Sequence, residues 1–317
     1  MELHREYDGI IGASIVTYNP NITRLEQNIL GIFNNSVYNI IIVDNGSGNL
    51  HEIMALSDRL GKGKFTIINN RKNMGIARAL NQALDNAYIK GYKWLLTLDQ
   101  DSICSSGYIS AMSEYFRCDC IGLIYPKTHD SVRSSAEKTK ISRIQSLFHS
   151  YNKMKNPSII SMPITSGSLI NISAGIKCGG FTDCFFIDSV DFDFNLKLSE
   201  HNFEILKCEG AVLYHALGNP VGRYFLGVYF IATGHPAWRY YYISRNAWLL
   251  RHNHTSGIQR KWCNKNLIRT ISPLRILYIY TANNFNFKFI KCILKGHYDG
   301  IFKKLRQHDE ILKKLKQ

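Results

Sequence analysis

The chain predicts an α/β domain built on a mostly parallel sheet with helices on both faces, and three observations carry that prediction. Four apolar runs, Ile10–Tyr18, Asn39–Val43, Phe65–Ile68 and Trp94–Leu98, are continuous rather than alternating. Continuous runs suit parallel strands buried on both faces. The segments between them carry helical spacing. Each run ends in polar residues, and the fourth ends in two carboxylates one residue apart, Asp99 and Asp101.

The elements follow in order. Ile10–Tyr18 is the first strand, broken by Asn19-Pro20-Asn21. Residues 22–33 form a helix, with apolar Ile22, Leu25, Ile29, Ile32 and Phe33 on one face. Asn39–Val43 is the second strand and ends in Asp44-Asn45-Gly46-Ser47-Gly48. A helix over 51–60, a third strand over 65–68 ended by Asn69-Asn70, a helix over 75–89 and the strand 94–98 complete a β-α-β-α-β-α-β series. The strand ends carrying Asp44 and Asp99, and the loop carrying Asn73, should line the carboxyl edge, where open α/β sheets bind ligands. Further along, 121–126 reads as a strand and the polar stretch 127–158 as a loop with a short helix. Strand character returns over 159–171 around Ser166-Gly167-Ser168, 190–201 is helical, and 211–215 is a last short strand.

Beyond Leu217 the composition shifts, with aromatics and arginines interleaved, among them Arg239, Tyr240, Tyr241, Tyr242 and Arg245. This places a domain boundary between 1–216 and a mainly helical basic region, 217–317. The apolar stretch 267–280 is interrupted by Pro273 and is shorter than the roughly 20 residues a membrane-spanning helix needs. From Gly300 to Gln317, apolar Ile301, Phe302, Leu305, Ile311, Leu312 and Leu315 alternate with lysines, as in an amphipathic helix for an anionic membrane or one packed on its own domain. The net charge of the 317 residues is +15, which points to an anionic surface as partner. The eight cysteines form no C-x-x-C pair or compact framework, so a reduced, cytosolic chain is expected. The start is polar and charged, and no signal peptide is expected.

Side chains two apart on an extended segment point the same way, so Asp99 and Asp101 can face one ligand together. Two such charges repel unless a cation sits beside them. A hard divalent cation, shared with phosphate oxygens of a substrate, answers that need; a solvated turn is the alternative. Asp44 at the end of its strand can accept a hydrogen bond from a nucleobase imide or a ribose hydroxyl, or can serve ordinary turn chemistry. Asn73-Met74-Gly75 opens a helix, where Gly75 permits close backbone approach and Arg78 lies in the first turn facing an anion or solvent. Asp188, Asp191 and Asp193 gather at another helix start, as a general base with neighbours or as cap and dipole partners. His215 ends a strand as a metal or diphosphate contact or as a core histidine.

Taken together and in order, Ser14–Asn19, Val43–Ser47, Asn73–Gly75, Asp99-Gln100-Asp101, Val190–Asp193 and His215 resemble the family 2 glycosyltransferases with the GT-A fold, over roughly residues 10–250. Within that family, Thr97–Ser102, Phe186–Asp191, Tyr214–Gly218 and Tyr241–Asn246 are most similar to bacterial rhamnosyltransferases. The resemblance implies that Thr17, Asn19, Asp44, Asn73, Gly75, Arg78, Asp99 and Gln100 bind a nucleotide sugar. It implies that Asp101, with His215, binds Mg²⁺ or Mn²⁺ at the diphosphate, and that Asp191 is the catalytic base. Ser166, Gly167, Asp188, Asp193, Arg245 and Asn246 serve acceptor contact or structural support. Asp193 and Lys197 depart from the Glu and Arg that the resemblance implies at those positions.

The activity so implied is inverting, metal-dependent transfer of a sugar to a saccharide acceptor in bacterial surface polysaccharide (O-antigen or capsule) synthesis. By the resemblance the donor is dTDP-rhamnose and the acceptor is linked to polyprenyl diphosphate. The enzyme would then be cytoplasmic and peripheral to the inner face of the cell membrane, with no nucleic acid as partner. A UDP-linked donor is the nearest alternative. A sugar nucleotidyltransferase would need a Gly-rich phosphate loop where Tyr18-Asn19-Pro20 stands. A basic nucleic-acid-binding protein would set carboxylates against phosphate and shows no recognition motif.

Overall fold

The computed structural model describes residues 7, 9–116, 118–130, 161–215, 221–225, 228–232 and 234–303, with backbone alone for residue 130 and for 221–232. These residues fall into two compact units. The first holds those up to 130, 161–186 and 190–215; the second holds 187–189 and those beyond 216.

In the first unit, β1 (Ile11–Thr17), α1 (Ile22–Phe33), β2 (Ile40–Asp44), α2 (Leu50–Gly61), β3 (Phe65–Asn69), α3 (Ile76–Ile89) and β4 (Trp94–Asp99) follow the predicted series. Then come β5 (Ile103–Cys104), α4 (Tyr108–Ser113), β6 (Ile121–Asp130), β7 (Leu169–Asn171), α5 (Ile172–Lys177), α6 (Val190–Glu200) and β8 (Glu204–His215). The eight strands form one sheet in the order β3-β2-β1-β4-β7-β6-β8-β5. β3, β2, β1 and β4 run parallel; β7 is antiparallel to both β4 and β6; β6 and β8 are parallel; β5 is antiparallel to β8.

Strand residues alternate between faces. One face, with Ile11, Ala13, Ile15, Ile40, Ile42, Trp94, Leu96 and Leu98, packs in one core with Leu25, Ile29 and Ile32 of α1, Ile53 and Leu56 of α2 and Tyr108, Ile109 and Met112 of α4. The opposite face lies under α3, whose buried residues Ala77, Ala79, Leu80, Ala83, Leu84 and Ala87 are mostly small. The parallel register sets Thr17 beside Asp44, Asp44 beside Asn69, and Val16 beside Asp99. The polar strand ends therefore share one edge, as read from the sequence.

Several expectations change. Strand character over 159–171 reduces to Leu169–Asn171, because a turn at Ser166–Gly167 intervenes; residues 159–160 lie outside the described residues. The last strand begins at Glu204, not Ala211, and β6 runs on to Asp130 beside it. The rest of the 127–158 loop lies outside the described residues. Cys118 and Cys120 are joined in a disulfide, against the reduced chain expected; the other six cysteines form no disulfide.

The second unit holds β9 (Val221–Phe225) paired antiparallel with β10 (Val228–Ala232), then α7 (Ala237–Asn253), α8 (Gly257–Ile271), α9 (Pro273–Ala282) and α10 (Phe287–Ile301). Pro273 begins α9 at its first turn, where its missing N–H leaves no bond unmade. Among the described residues no helix is long and apolar enough to cross a membrane. Of the expected amphipathic tail, Gly300 and Ile301 close α10, while 304–317 lie outside the described residues.

Candidate active site

The end of β4 is held from three sides. Asn28 Nδ2 donates to Asp99 O at 2.6 Å, and Asp99 N–H donates to Ser166 Oγ at 3.0 Å. Gln100 lies along the end of β1: Tyr18 N–H donates to Gln100 Oε1 at 2.8 Å, and Gln100 Nε2 points back at Tyr18 O at 3.5 Å. A side-chain amide thus mimics a strand partner, which fixes the turn that presents Asp99 and Asp101.

Asp99 and His215 face each other at the edge. His215 Nε2 stands 3.9 Å from Asp99 Oδ2. The other ring nitrogen, Nδ1, is 2.8 Å from Ser102 Oγ, which is 2.9 Å from Ser166 Oγ. His215, Ser102 and Ser166 are all buried, so this hydroxyl chain fixes the imidazole plane. The Asp99 carboxylate keeps about half its surface (48%) open to a ligand, yet it sits among protein atoms at the floor of the edge. That desolvation is the largest cause raising its carboxyl to about 6; His215 opposes the rise, and the charges of Asp191 and Asp101 add to it. Side chains read from three separate stretches therefore act on one carboxylate.

Asp191 lies in the first turn of α6. Thr165 donates twice to its Oδ1, from the backbone N–H at 2.9 Å and from Oγ1 at 2.5 Å. Thr165 escaped the sequence reading, although it adjoins Ser166 and Gly167. Gly167 N–H in turn donates to Thr97 O at 2.7 Å, so the 165–168 turn is tied to β4.

Asp44 is fully buried. Thr17 Oγ1 donates to its Oδ1 at 3.1 Å, and the amides of Gly46 and Ser47 donate to Oδ2 at 3.1 and 3.0 Å. Asn19 braces the same turn, accepting from Gly48 N–H while its own N–H donates to Ser47 Oγ, both at 2.8 Å. The hub of the next loop is Asn45, in the predicted motif but not among the predicted binders. Its Oδ1 accepts from Met74 N–H and Asn70 Nδ2, and its Nδ2 donates to Asn73 Oδ1 and Gly75 O. Gly75 has φ +88°, and a Cβ there would meet Phe186 O at 2.7 Å; Ile76 N–H donates to that same carbonyl. Only glycine meets both demands.

Arg78 is engaged by Asp183 (Nη1 to Oδ2, 2.7 Å), and Asn81 Nδ2 donates to the other oxygen of that carboxylate at 2.7 Å. Asp193 is fully buried and turns toward the 180–182 loop. It accepts from Thr182 Oγ1 at 2.6 Å and pairs with Lys197 at 3.4 Å, while Lys197 Nζ donates to Gly180 O. The two departures from the family pattern are thus partners of each other.

In the second unit, Asp188, Arg245 and Asn246 form a separate cluster. Asp188 and Ser189 both adopt left-handed backbone, φ +62° and +64°. Asn246 Nδ2 donates to the carbonyls of Ile187 and Asp188 at 2.8 and 2.7 Å. Its Oδ1 accepts from Arg245 Nε and Nη2 at 3.0 and 2.8 Å, and the Arg245 guanidinium lies 4.9 Å from the Tyr242 ring centre. Arg239 clasps the Asp188 carboxylate, with Nε and Nη2 within 3.2 Å of its oxygens. Arg239 was legible only as one of the interleaved arginines.

A mixed sheet whose parallel half ends in paired carboxylates, with a further acid at a helix start and a histidine at the end of β8, defines a glycosyltransferase of the GT-A fold. The chain belongs to glycosyl transferase family 2, whose profile matches residues 13–178. It is 26% identical over 248 residues to the dTDP-rhamnosyl transferase RfbF of Shigella flexneri, spanning 77% of this chain and 81% of that one. The mannosyltransferase PcManGT from Pyrobaculum calidifontis, solved with GDP-Man and Mn²⁺, superposes with a TM-score of 0.57 at 11% identity over 93% of this chain and 87% of its own. S. aureus TarS 1-349, solved with UDP-GlcNAc, gives 0.54 at 12% identity over 90% and 81%.

Proposed function

We propose that the enzyme transfers rhamnose from dTDP-rhamnose, with inversion, to a saccharide carried on polyprenyl diphosphate at the inner membrane face, in surface polysaccharide synthesis. The observation that carries the chemistry is that the charges of Asp101 and Asp191 both act on Asp99, which His215 faces at 3.9 Å. The likeness to a dTDP-rhamnosyl transferase supports the donor.

The donor set suits a hard divalent cation. Asp99 is crowded by two other acids at one edge, a charge excess that a cation offsets. Among the described residues no three His, Cys, Asp or Glu side chains gather as a cage. Asp101, with help from His215, would therefore hold Mg²⁺ or Mn²⁺ jointly with diphosphate oxygens. When bound, the cation offsets charge on the departing nucleoside diphosphate. Asp191, oriented by Thr165, takes the proton of the acceptor hydroxyl as that oxygen bonds to the anomeric carbon and the bond to the diphosphate oxygen breaks. Thr17, Asp44 and Asn73, with Asn19, Asn45 and Gly75, shape the turns against the nucleoside. Asp99 and Gln100 orient the donor.

The test is a panel of dTDP-, UDP- and GDP-sugars with a lipid-diphosphate saccharide acceptor, run with and without EDTA. The expected outcome is EDTA-sensitive turnover with dTDP-rhamnose. Turnover confined to a UDP- or GDP-sugar overturns the donor assignment, and turnover in EDTA overturns the metal.

A further inference from the structure

The described residues of the second unit carry almost no negative charge. Between Ala216 and Lys303 there are thirteen Lys and Arg and one carboxylate, Asp299. Asp299 is fully buried, where it accepts from Tyr241 Oη at 3.0 Å and from Lys295 Nζ at 3.1 Å. The other acid among the unit's described residues, Asp188, is clasped by Arg239. Among its described residues, then, no carboxylate faces outward without a cation already on it.

The same surface is apolar where a surface helix should be polar. α10 buries Cys292, Ile293, Gly296, Asp299 and Gly300. Gly296 and Gly300 let α7 approach so closely that a Cβ on either would strike the carbonyl of Tyr241 or Arg245. Away from that seam, positions 287, 291, 294, 298 and 301 recur at helical spacing. They are Phe287, Lys291, Leu294, Tyr298 and Ile301, all exposed, Phe287 by 66% and Leu294 by 59%. α9, which packs beside α10, turns out Leu274 (68%) and Leu277 (53%). α8, beside α9, turns out Ile258, Lys261, Lys265 and Ile268 at the same kind of spacing. Each of three consecutive helices thus shows leucine, isoleucine or phenylalanine outward, and α8 and α10 set lysines among them.

We propose that this outward face of α8, α9 and α10 docks on an anionic lipid bilayer. Exposed aliphatic side chains gain by entering acyl chains, and interleaved lysines gain by meeting anionic headgroups. A second copy of the chain is a poor occupant, since self-pairing would set lysines opposite lysines with no carboxylate to answer them. A nucleic acid would satisfy the charge but leave the aliphatic stripe in water. The inference extends the lipid-linked acceptor reading and rests on it for its biological sense, whereas its test needs neither donor nor turnover.

The test is sedimentation of the full chain with phosphatidylcholine vesicles, plain or mixed with phosphatidylglycerol. Binding to the mixed vesicles, weakened by salt, is expected. Leu274→Gln/Leu277→Gln/Leu294→Gln and, separately, Lys261→Gln/Lys265→Gln/Lys291→Gln should each weaken it by about tenfold or more. Lys313→Gln/Lys314→Gln/Lys316→Gln in the tail should weaken it less than either. Circular dichroism spectra and melting temperatures, unchanged in all three, report that they fold. Wild-type binding no stronger to mixed than to plain vesicles overturns the proposal. So does full binding by either face variant, loss confined to the tail variant, or a wild-type dimer that the face variants dissociate.

Discussion

Thr165 donates to one oxygen of Asp191, Oδ1, through both its hydroxyl and its backbone N–H. A carboxylate held by two donors on a single oxygen has its plane fixed before substrate arrives, which is the positioning the proposed base needs for a displacement at carbon. Thr165→Val keeps the shape and the amide bond but removes the hydroxyl. A hydrogen bond to a charged group contributes about 1.5–3 kcal/mol, so transfer should slow roughly 10- to 100-fold. Asp191→Asn should abolish transfer. Single-turnover assays give the rate, and calorimetry with dTDP should show donor-side affinity unchanged in both variants. A normal rate for Asp191→Asn sinks the base assignment.

The environment of Asp99 predicts how stability varies with pH. Its carboxyl ionises near 3.8 in the unfolded chain and about 6 in the folded one. Below 3.8 both forms are protonated and nothing is lost. Between the two values the unfolded chain ionises first, so folding is progressively penalised as pH rises, and above about 6 the penalty is complete. Asp99→Asn removes it. In melts without metal, the variant should match wild type near pH ~4 and melt higher above pH ~6.5, by less than the full shift implies because half of the carboxylate meets water. A difference that stays flat across that range refutes the account.

Ser102 braces His215, the histidine proposed to lie beside the metal. With Oγ 2.8 Å from His215 Nδ1, it fixes which face of the imidazole meets Asp99, as outer partners of ligating histidines generally do. Ser102→Ala should weaken Mn²⁺-dependent dTDP binding about 10- to 100-fold, and Asp101→Ala should remove the metal dependence altogether. Titration of Mn²⁺ by electron paramagnetic resonance, with dTDP and then with EDTA, measures both. Undiminished Mn²⁺ uptake by Asp101→Ala would exclude that residue as a ligand.

The core and the edge were legible because the signals are local. Continuous apolar runs mark β1 to β4, and each polar end falls where the register puts it. The bonds that Gln100 and Asn45 make were not legible, because their partners, Tyr18 and the 70–75 loop, lie far away in sequence. Thr165 was missed for the same reason: nothing near it announces Asp191. The start of β8 was hidden by Glu204, Lys207 and Glu209, which its exposed positions tolerate. α7 buries Tyr240, Tyr241 and Tyr242 in succession, then Ser244, Arg245, Asn246 and Ala247. A helix enclosed on most sides shows no stripe, so periodicity could not find it.

Asn246 anchors a strained stretch of backbone in the second unit. Two successive non-glycine residues in left-handed conformation, Asp188 and Ser189, cost on the order of 1–3 kcal/mol each and persist only when their surroundings over-determine them. Asn246 does this by holding both carbonyls of the segment while taking up the Arg245 guanidinium. Asn246→Ala leaves the carbonyls of Ile187 and Asp188 and a buried guanidinium short of partners, and should cost roughly 2–4 kcal/mol. Arg239→Gln loosens a pair whose arginine side chain is 31% exposed, where solvent screens the charge, so its cost should be only about 1 kcal/mol. Urea unfolding of the two variants gives the order. An Asn246→Ala chain as stable as Arg239→Gln would mean that the segment is held by something other than this amide. The cation contributes less because water replaces part of what it supplies; nothing replaces the buried amide.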